Sequence, residues 1–205
     1  MQTQWLQWAQ HLQALAQNGL TFAHDPFDVQ RYEAVRQIAA EMLGALSQAE
    51  PQPILELLTR EMGYATPKVD VRAAVFCDDS ILLVRERQDG LWTLPGGWAD
   101  VNESPSEAVT RETYEESGYH TRAIRLLAVY DKNKHAHPPS PHHSYKLFFH
   151  CKLLGGEPVQ NVETDAVDFF RACKLPALSL SRVTPAQVTR LFECVQHPEW
   201  PTEFD

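Results

Sequence analysis

The chain has 205 residues, enough for one enzymatic domain with a small accessory one. Hydrophobic residues make up 43% and charged residues 22%, a soluble globular mixture rather than a disordered or membrane-spanning one. The formal charge is −9, with three basic and seven acidic side chains in residues 1–66, so neither part is basic. That balance argues against a nucleic-acid binder working by backbone electrostatics, and an anionic ligand would need a cation to mediate its contact.

The N-terminus lacks a charged region followed by an apolar core, so no export signal is read there. Cys77, Cys151, Cys173 and Cys194 lie far apart with no C-x-x-C pair, which points to free thiols and a cytoplasmic location. In chain order, Trp5, Trp8, Ala9, Leu12, Leu15 and Ala16 recur at helical spacing, and Gly19 is expected to stop that helix. The two tryptophans read as packing residues. Asp25-Pro26 is a capped start for a second helix with the stripe Val35, Ile38, Ala39, Met42, Leu43 and Leu46. Pro51 and Pro53 precede a short third helix around Ile54, Leu57 and Leu58. Such a helical module, residues 1–66, has a marginal core and needs something to dock on.

From about residue 67 the period changes to two. Val69, Val71, Ala73 and Val75 alternate, Cys77 to Ser80 turns, and Ile81 to Val84 completes a hairpin. Leu91 to Leu94 reads as a short strand ending at Pro95-Gly96-Gly97. A helix over Pro105 to Ser117 follows, then strands at about Ala123–Tyr130, Tyr145–Leu154 and Val167–Phe170. A last helix is capped by Thr184 and Gln187.

The chemistry lies in GWADVNESPSEAVTRETYEESGY, residues 97–119. Ser104, Pro105 and Glu107 start its helix and Gly118 ends it. Glu112, Glu115 and Glu116 stand at i, i+3 and i+4, which projects three carboxylates from one face. Like charges at that spacing repel, and anions in a last turn oppose the helix dipole. A hard divalent cation is the natural compensation, since Arg111 alone cannot balance three carboxylates.

Gly97, Glu103, Arg111, Glu112, Glu115, Glu116 and Gly118 occupy the seven fixed positions of the Nudix box, and the segment resembles that family. Two positions that are usually aliphatic hold Thr113 and Tyr119. The resemblance implies an α/β fold, a Nudix-type α/β/α sandwich with a mixed sheet over residues 67–205, behind the helical module. It implies Mg2+ or Mn2+ held by Glu112, Glu115, Glu116 and the Gly97 carbonyl, with Glu103, Arg111 and Gly118 structural in the motif. Glu115 or Glu163 would take the proton from the attacking water.

WTLPGGWADVNES, VYDKNKHAHPP, HSYKLFF and LPALSLSRVTPAQ resemble the Nudix subfamily with an N-terminal helical domain. Its members are described as CDP-choline or ADP-ribose pyrophosphatases. That implies a nucleoside diphosphate derivative as substrate, and a homodimer in which the helical module dimerises the chain or covers the substrate. Arg85, Lys132, Lys134, His135 and His137 are candidates for phosphate contact, and Tyr130 or Trp98 for base stacking. His135, His137, His142 and His143 could instead suggest zinc, which the intervening prolines and lack of nearby cysteines disfavour. The rival activities are a nucleotide-sanitising or RNA 5′-end pyrophosphohydrolase, and a non-catalytic sensor of ADP-ribose-type ligands.

Overall fold

The computed structural model describes residues 2–205. Its contacts divide into two compact units. The segment up to Lys68, with Pro138–Ser144, makes one; Val69–His137 with Tyr145–Asp205 makes the other. The loop piece Pro138–Ser144 therefore sits with the helices, tied by the Gln10 side-chain amide donating to the Ser140 carbonyl at 2.9 Å. His142 and His143 thus fall in a different unit from His135 and His137.

The helical unit comprises α1 (Gln2–Phe22), α2 (Pro26–Ser47) and α3 (Pro51–Thr59). Asp25 caps α2 by accepting the Phe27 and Asp28 amides, with Pro26 in the first turn where a missing N–H does no harm. Gly19 does not stop α1, which runs on to Phe22. The glycine serves packing: a Cβ there would lie 2.3 Å from the Tyr32 ring of α2. Leu6, Ala9, Ala40, Leu43 and Leu58 form the core of this unit. Trp5 and Trp8 are not in that core. They stack edge to face on each other, 48% and 47% exposed.

The second unit is a mixed sheet between helices. Its strands are β1 (Lys68–Cys77), β2 (Ser80–Glu86), β3 (Trp92–Thr93), β4 (Tyr119–Asp131), β5 (Ser144–Gly156), β6 (Thr164–Arg171) and β7 (Glu203–Phe204). They run β3-β2-β1-β5-β4-β7, with β6 antiparallel to β2 along its length. The parallel pair is β4 with β7, through Ala128 to Glu203 and Val129 to Phe204. The two helices of this unit are α4 (Pro105–Ser117) and α5 (Pro185–Gln196).

Two apolar layers explain the strand patterns. Val71, Ala73, Val75, Leu82, Phe149 and Cys151 pack with Ala108 and Val109 of α4. Ala74, Ile81, Leu83, Leu127 and Phe148 pack with Val188 and Leu191 of α5. Burying each Val, Leu or Phe in such a layer stabilises by roughly 1.5–3 kcal/mol. As a central strand, β1 is buried on both faces rather than alternating with solvent. Its second face carries Asp70 and Arg72, only 6% and 4% exposed.

Candidate active site

The site begins with a loop stapled to β1. After β3 the chain returns through Pro95-Gly96-Gly97, and the Ala73 and Val71 amides donate to the Pro95 and Gly97 carbonyls, each at 2.8 Å. Gly96 has φ +134°, and a Cβ on it would lie 2.0 Å from the Val71 carbonyl oxygen. Only glycine fits there. At Gly97 an added Cβ would meet the Glu112 carboxylate at 3.3 Å, so the acidic helix lies directly against the loop. We expect Gly96→Ala to destabilise the fold by at least about 1–3 kcal/mol in denaturant titration. Gly97→Ala should shift the midpoint less, because the Glu112 side chain can move away.

The acidic helix α4 is the best-specified element. Ser104 and Glu107 form a reciprocal capping box, and Gly118, with φ 79°, closes the other end. Thr113, at a position usually aliphatic, is fully buried and donates its hydroxyl to the Val109 carbonyl, so its polarity is absorbed by the helix itself. Tyr119 packs edge to face on Phe169.

Arg111 does more than orient one carboxylate. Its Nε and Nη2 clamp both oxygens of Glu103 at 2.8 and 2.9 Å. Its Nη1 also donates to Glu112 at 2.9 Å and to Glu115 at 2.8 Å. Glu116 is outside this net. It is 5% exposed and accepts the Gly96 amide at 2.8 Å. Among the described residues no cationic side chain forms an ion pair with it. Burial pushes its carboxyl up to about 8, although Arg72 pulls the other way through space. Burial raises Glu112 too, opposed by its hydrogen bond to Arg111.

Arg111, Glu112, Glu115 and Glu116 line a cleft of about 800 Å³. Gly97, Glu112, Glu115 and Glu116 share it with Glu163, Lys132 and Trp98, so these expected site residues meet. Five other expected substrate contacts do not line it: Lys134 ends a short 3-10 turn, His135 meets Asp205 at 3.2 Å, and the remaining three are Arg85, Tyr130 and His137. Arg85 pairs with Asp165 at 2.7 Å and lies over the Trp92 ring. Tyr130 is 4% exposed, donates its hydroxyl to Glu203 at 2.9 Å and packs on Phe148. His137 shares its ring nitrogens between the Leu180 carbonyl and the Gln187 amide, and burial pushes its imidazole down to about 4. A ring so committed ties the loop to α5 rather than meeting phosphate.

The cleft also holds charges that sequence reasoning passed over. Asp70 accepts from Arg72 Nε at 2.8 Å and from Lys146 Nζ at 2.9 Å, all three nearly inaccessible. Arg182 pairs with Glu86 and Asp89, each at 3.0 Å. Lys132 has no ion-pair partner among the described residues, and burial lowers its ammonium from the usual range. The discoverable signal was Asp70 and Arg72, two charges at i, i+2 inside an otherwise apolar strand.

Does this donor set suit a divalent cation? Among the described residues, no three His, Cys, Asp or Glu side chains stand as a finished metal cage. Arg111 holds Glu112 and Glu115 towards itself, and the Gly97 carbonyl has one lone pair committed to Val71. The chemistry nevertheless fits. Hard oxygen donors surround a buried carboxyl that no side chain among the described residues meets in an ion pair, and a cation can draw Glu112 and Glu115 off a shared guanidinium.

Comparison with known proteins decides the family. Residues 66–192 match the family described as NUDIX domain. The chain belongs to the Nudix family. It is a Nudix hydrolase, and residues 3–58 match a second family, the UDP-X-like N-terminal oligomerisation domain. A Bacillus subtilis protein, YjhB, named provisionally as an ADP-ribose pyrophosphatase, is 47% identical over all of this chain and 99% of its own. A crystal structure of a UDP-X diphosphatase is 36% identical with TM-score 0.64, covering 100% of this chain and 99% of that one. A Streptococcus suis ADP-ribose pyrophosphatase structure, 45% identical with TM-score 0.64, covers 68% of this Nudix chain and all of its own. No helix among the described residues is long and apolar enough to cross a membrane.

Proposed function

We propose that this Nudix hydrolase cleaves the diphosphate bond of nucleoside diphosphate derivatives of the ADP-ribose and CDP-choline type, in the cytoplasm. The observation that carries the proposal is a pair of unmatched charges in one cleft. Among the described residues Glu116 is a buried carboxyl that forms no ion pair with a cation, feeling Arg72 only through space, and Lys132 is a partly buried cation that forms none with an anion, feeling Asp70 only through space. A diphosphate bound with a divalent metal supplies both missing partners at once. The names of the relatives point to ADP-ribose and UDP-linked substrates.

Glu112, Glu115 and Glu116, with the second lone pair of the Gly97 carbonyl, would hold Mg2+ or Mn2+. When bound, the cation spreads the charge of the diphosphate and orients water. Lys132 neutralises a phosphate oxygen, and exposed Trp98 offers a ring for the base. Water oxygen bonds to one phosphorus as the anhydride P–O bond breaks, giving a nucleoside monophosphate and a phosphorylated second product. Glu163 takes the proton. Of the two candidates Glu115 is engaged by Arg111, whereas among the described residues no cation pairs with Glu163.

The test is product analysis of the full chain with Mg2+ or Mn2+ over ADP-ribose, CDP-choline, UDP-glucose, 8-oxo-dGTP and triphosphorylated RNA. AMP and ribose 5-phosphate from ADP-ribose, or CMP and phosphocholine from CDP-choline, are expected. Faster turnover of 8-oxo-dGTP or RNA would replace this reading with the sanitising or RNA-end activity. Tight ADP-ribose binding without any product would make the protein a sensor.

The helical unit is assigned to homodimer formation. Trp5, Trp8, Leu15 and Phe22 leave a half-exposed apolar stripe on α1, a helix whose described residues carry no Asp, Glu, Lys or Arg. Sedimentation at micromolar concentration should give twice the chain mass of 23.3 kDa. Trp5→Glu with Trp8→Glu should halve it, and a monomeric wild type would end this assignment.

A further inference from the structure

The last turn of α4 leaves four carbonyls without helical partners, as every helix does. Here each has a partner. The Tyr114 carbonyl accepts the Gly118 amide at 2.7 Å, and the Ser117 carbonyl accepts the Val159 amide at 3.0 Å. The other two belong to expected metal ligands and are met by side chains. Asn161 Nδ2 donates to the Glu115 carbonyl, and the buried Thr164 hydroxyl donates to the Glu116 carbonyl at 2.7 Å.

The same asparagine works in the opposite direction. Its Oδ1 accepts the Glu163 amide at 2.7 Å and the Thr164 amide at 2.6 Å. The loop closes with the Asn161 amide donating to the Thr164 carbonyl at 3.0 Å. One side chain therefore bonds both the helix end that presents Glu115 and Glu116 and the backbone that presents Glu163. Gly118 already caps the helix. The added bonds serve to hold two parts of one site in register.

We propose that Asn161 and Thr164 are positioning residues that lock the Glu163 loop onto the carbonyl end of α4, so that proton acceptor and acidic helix keep one fixed geometry. This deepens the hydrolase reading above and rests on it. A misplacement of about 1 Å at a reacting group can cost about a hundredfold in rate.

The experiment measures ADP-ribose hydrolysis by Asn161→Ala, Thr164→Val and Thr164→Ser, with thermal melts confirming folding. Asn161→Ala and Thr164→Val are expected to lower kcat by about 10- to 100-fold with KM changed less than about twofold. Thr164→Ser, which keeps the hydroxyl, should restore kcat to within about twofold of wild type. Combined with Glu163→Gln, Asn161→Ala should add little further loss, because both act on one step. A folded Asn161→Ala or Thr164→Val with wild-type kcat overturns the clasp, as does a loss in KM alone. Should Glu163→Gln retain wild-type kcat while Asn161→Ala does not, the base assignment fails and the clasp stands, acting through Glu115 and Glu116.

Discussion

Replacing Glu116 with glutamine should lower turnover by roughly a thousandfold or more while making the metal-free protein more stable. The two effects share one cause. Glu116 is almost inaccessible, has no cationic partner among the described residues and is pushed up to about 8 by burial. A glutamine of the same shape keeps an oxygen for the Gly96 amide, now at 2.8 Å from the carboxylate, so the loop retains its anchor. What disappears is a carboxyl that the apo fold must keep protonated although the unfolded chain would release the proton, which is a loss at neutral pH. A residue that weakens the resting fold and is worth keeping is one whose charge is used when ligand binds. Steady-state rates with Mg2+ and Mn2+, with denaturant midpoints in chelator, measure both sides. Near-normal turnover would remove Glu116 from the metal ligands. A lower midpoint in chelator would show that the carboxylate is already compensated.

Much of this is legible in the sequence alone, and the reason is local. The α4 boundaries followed from Ser104, Glu107 and Gly118, whose signals act within a few residues. Asp25-Pro26 located α2 for the same reason. What escaped was set by distant partners. Gly19 looks like a stop, but Tyr32, thirteen positions away, makes it a packing glycine. The strand β7 has only Glu203 and Phe204, too short for periodicity, and exists because β4 offers a parallel edge. In the sequence Tyr130 reads as a ring for base stacking, and His137 and Arg85 as phosphate contacts. Each is instead committed to a partner at least 43 residues away: Glu203, Leu180 and Asp165. Conversely Asp70 and Arg72 stand out in the sequence as charges within an apolar run, but their place in the cleft depends on the burial of both faces of β1.

Divalent metal should raise the melting temperature, and more strongly at pH 8 than at pH 5. The sign follows from Glu116. Its folded carboxyl titrates at about 8, above the usual 4.5, so between those values the folded state holds a proton that the unfolded chain has released. Stability from this group is fully present below about 4.5 and is lost as pH rises through about 8, a change on the order of a few kcal/mol. Metal occupies the place of that proton, so it competes poorly at pH 5 and binds freely once the carboxyl is ionised. At a hundred times its dissociation constant it stabilises by about 2.7 kcal/mol, or roughly 5–10 °C for a chain of this size. His137, held down to about 4, contributes the opposite slope between about 4 and 6.5, because there the unfolded chain holds the extra proton. Lys146, lowered to about 8, does likewise from about 8 to 10.5. Both backgrounds persist in Glu116→Gln, so the difference between the two proteins across pH 5–8 reports Glu116 together with its coupling to the buried carboxyls of Glu112 and Glu86. Wild type in chelator should lose melting temperature relative to the variant as pH rises, and Mg2+ or Mn2+ should return it in wild type alone. Parallel melting curves for the two proteins would mean that Glu116 is not the group coupling proton and metal.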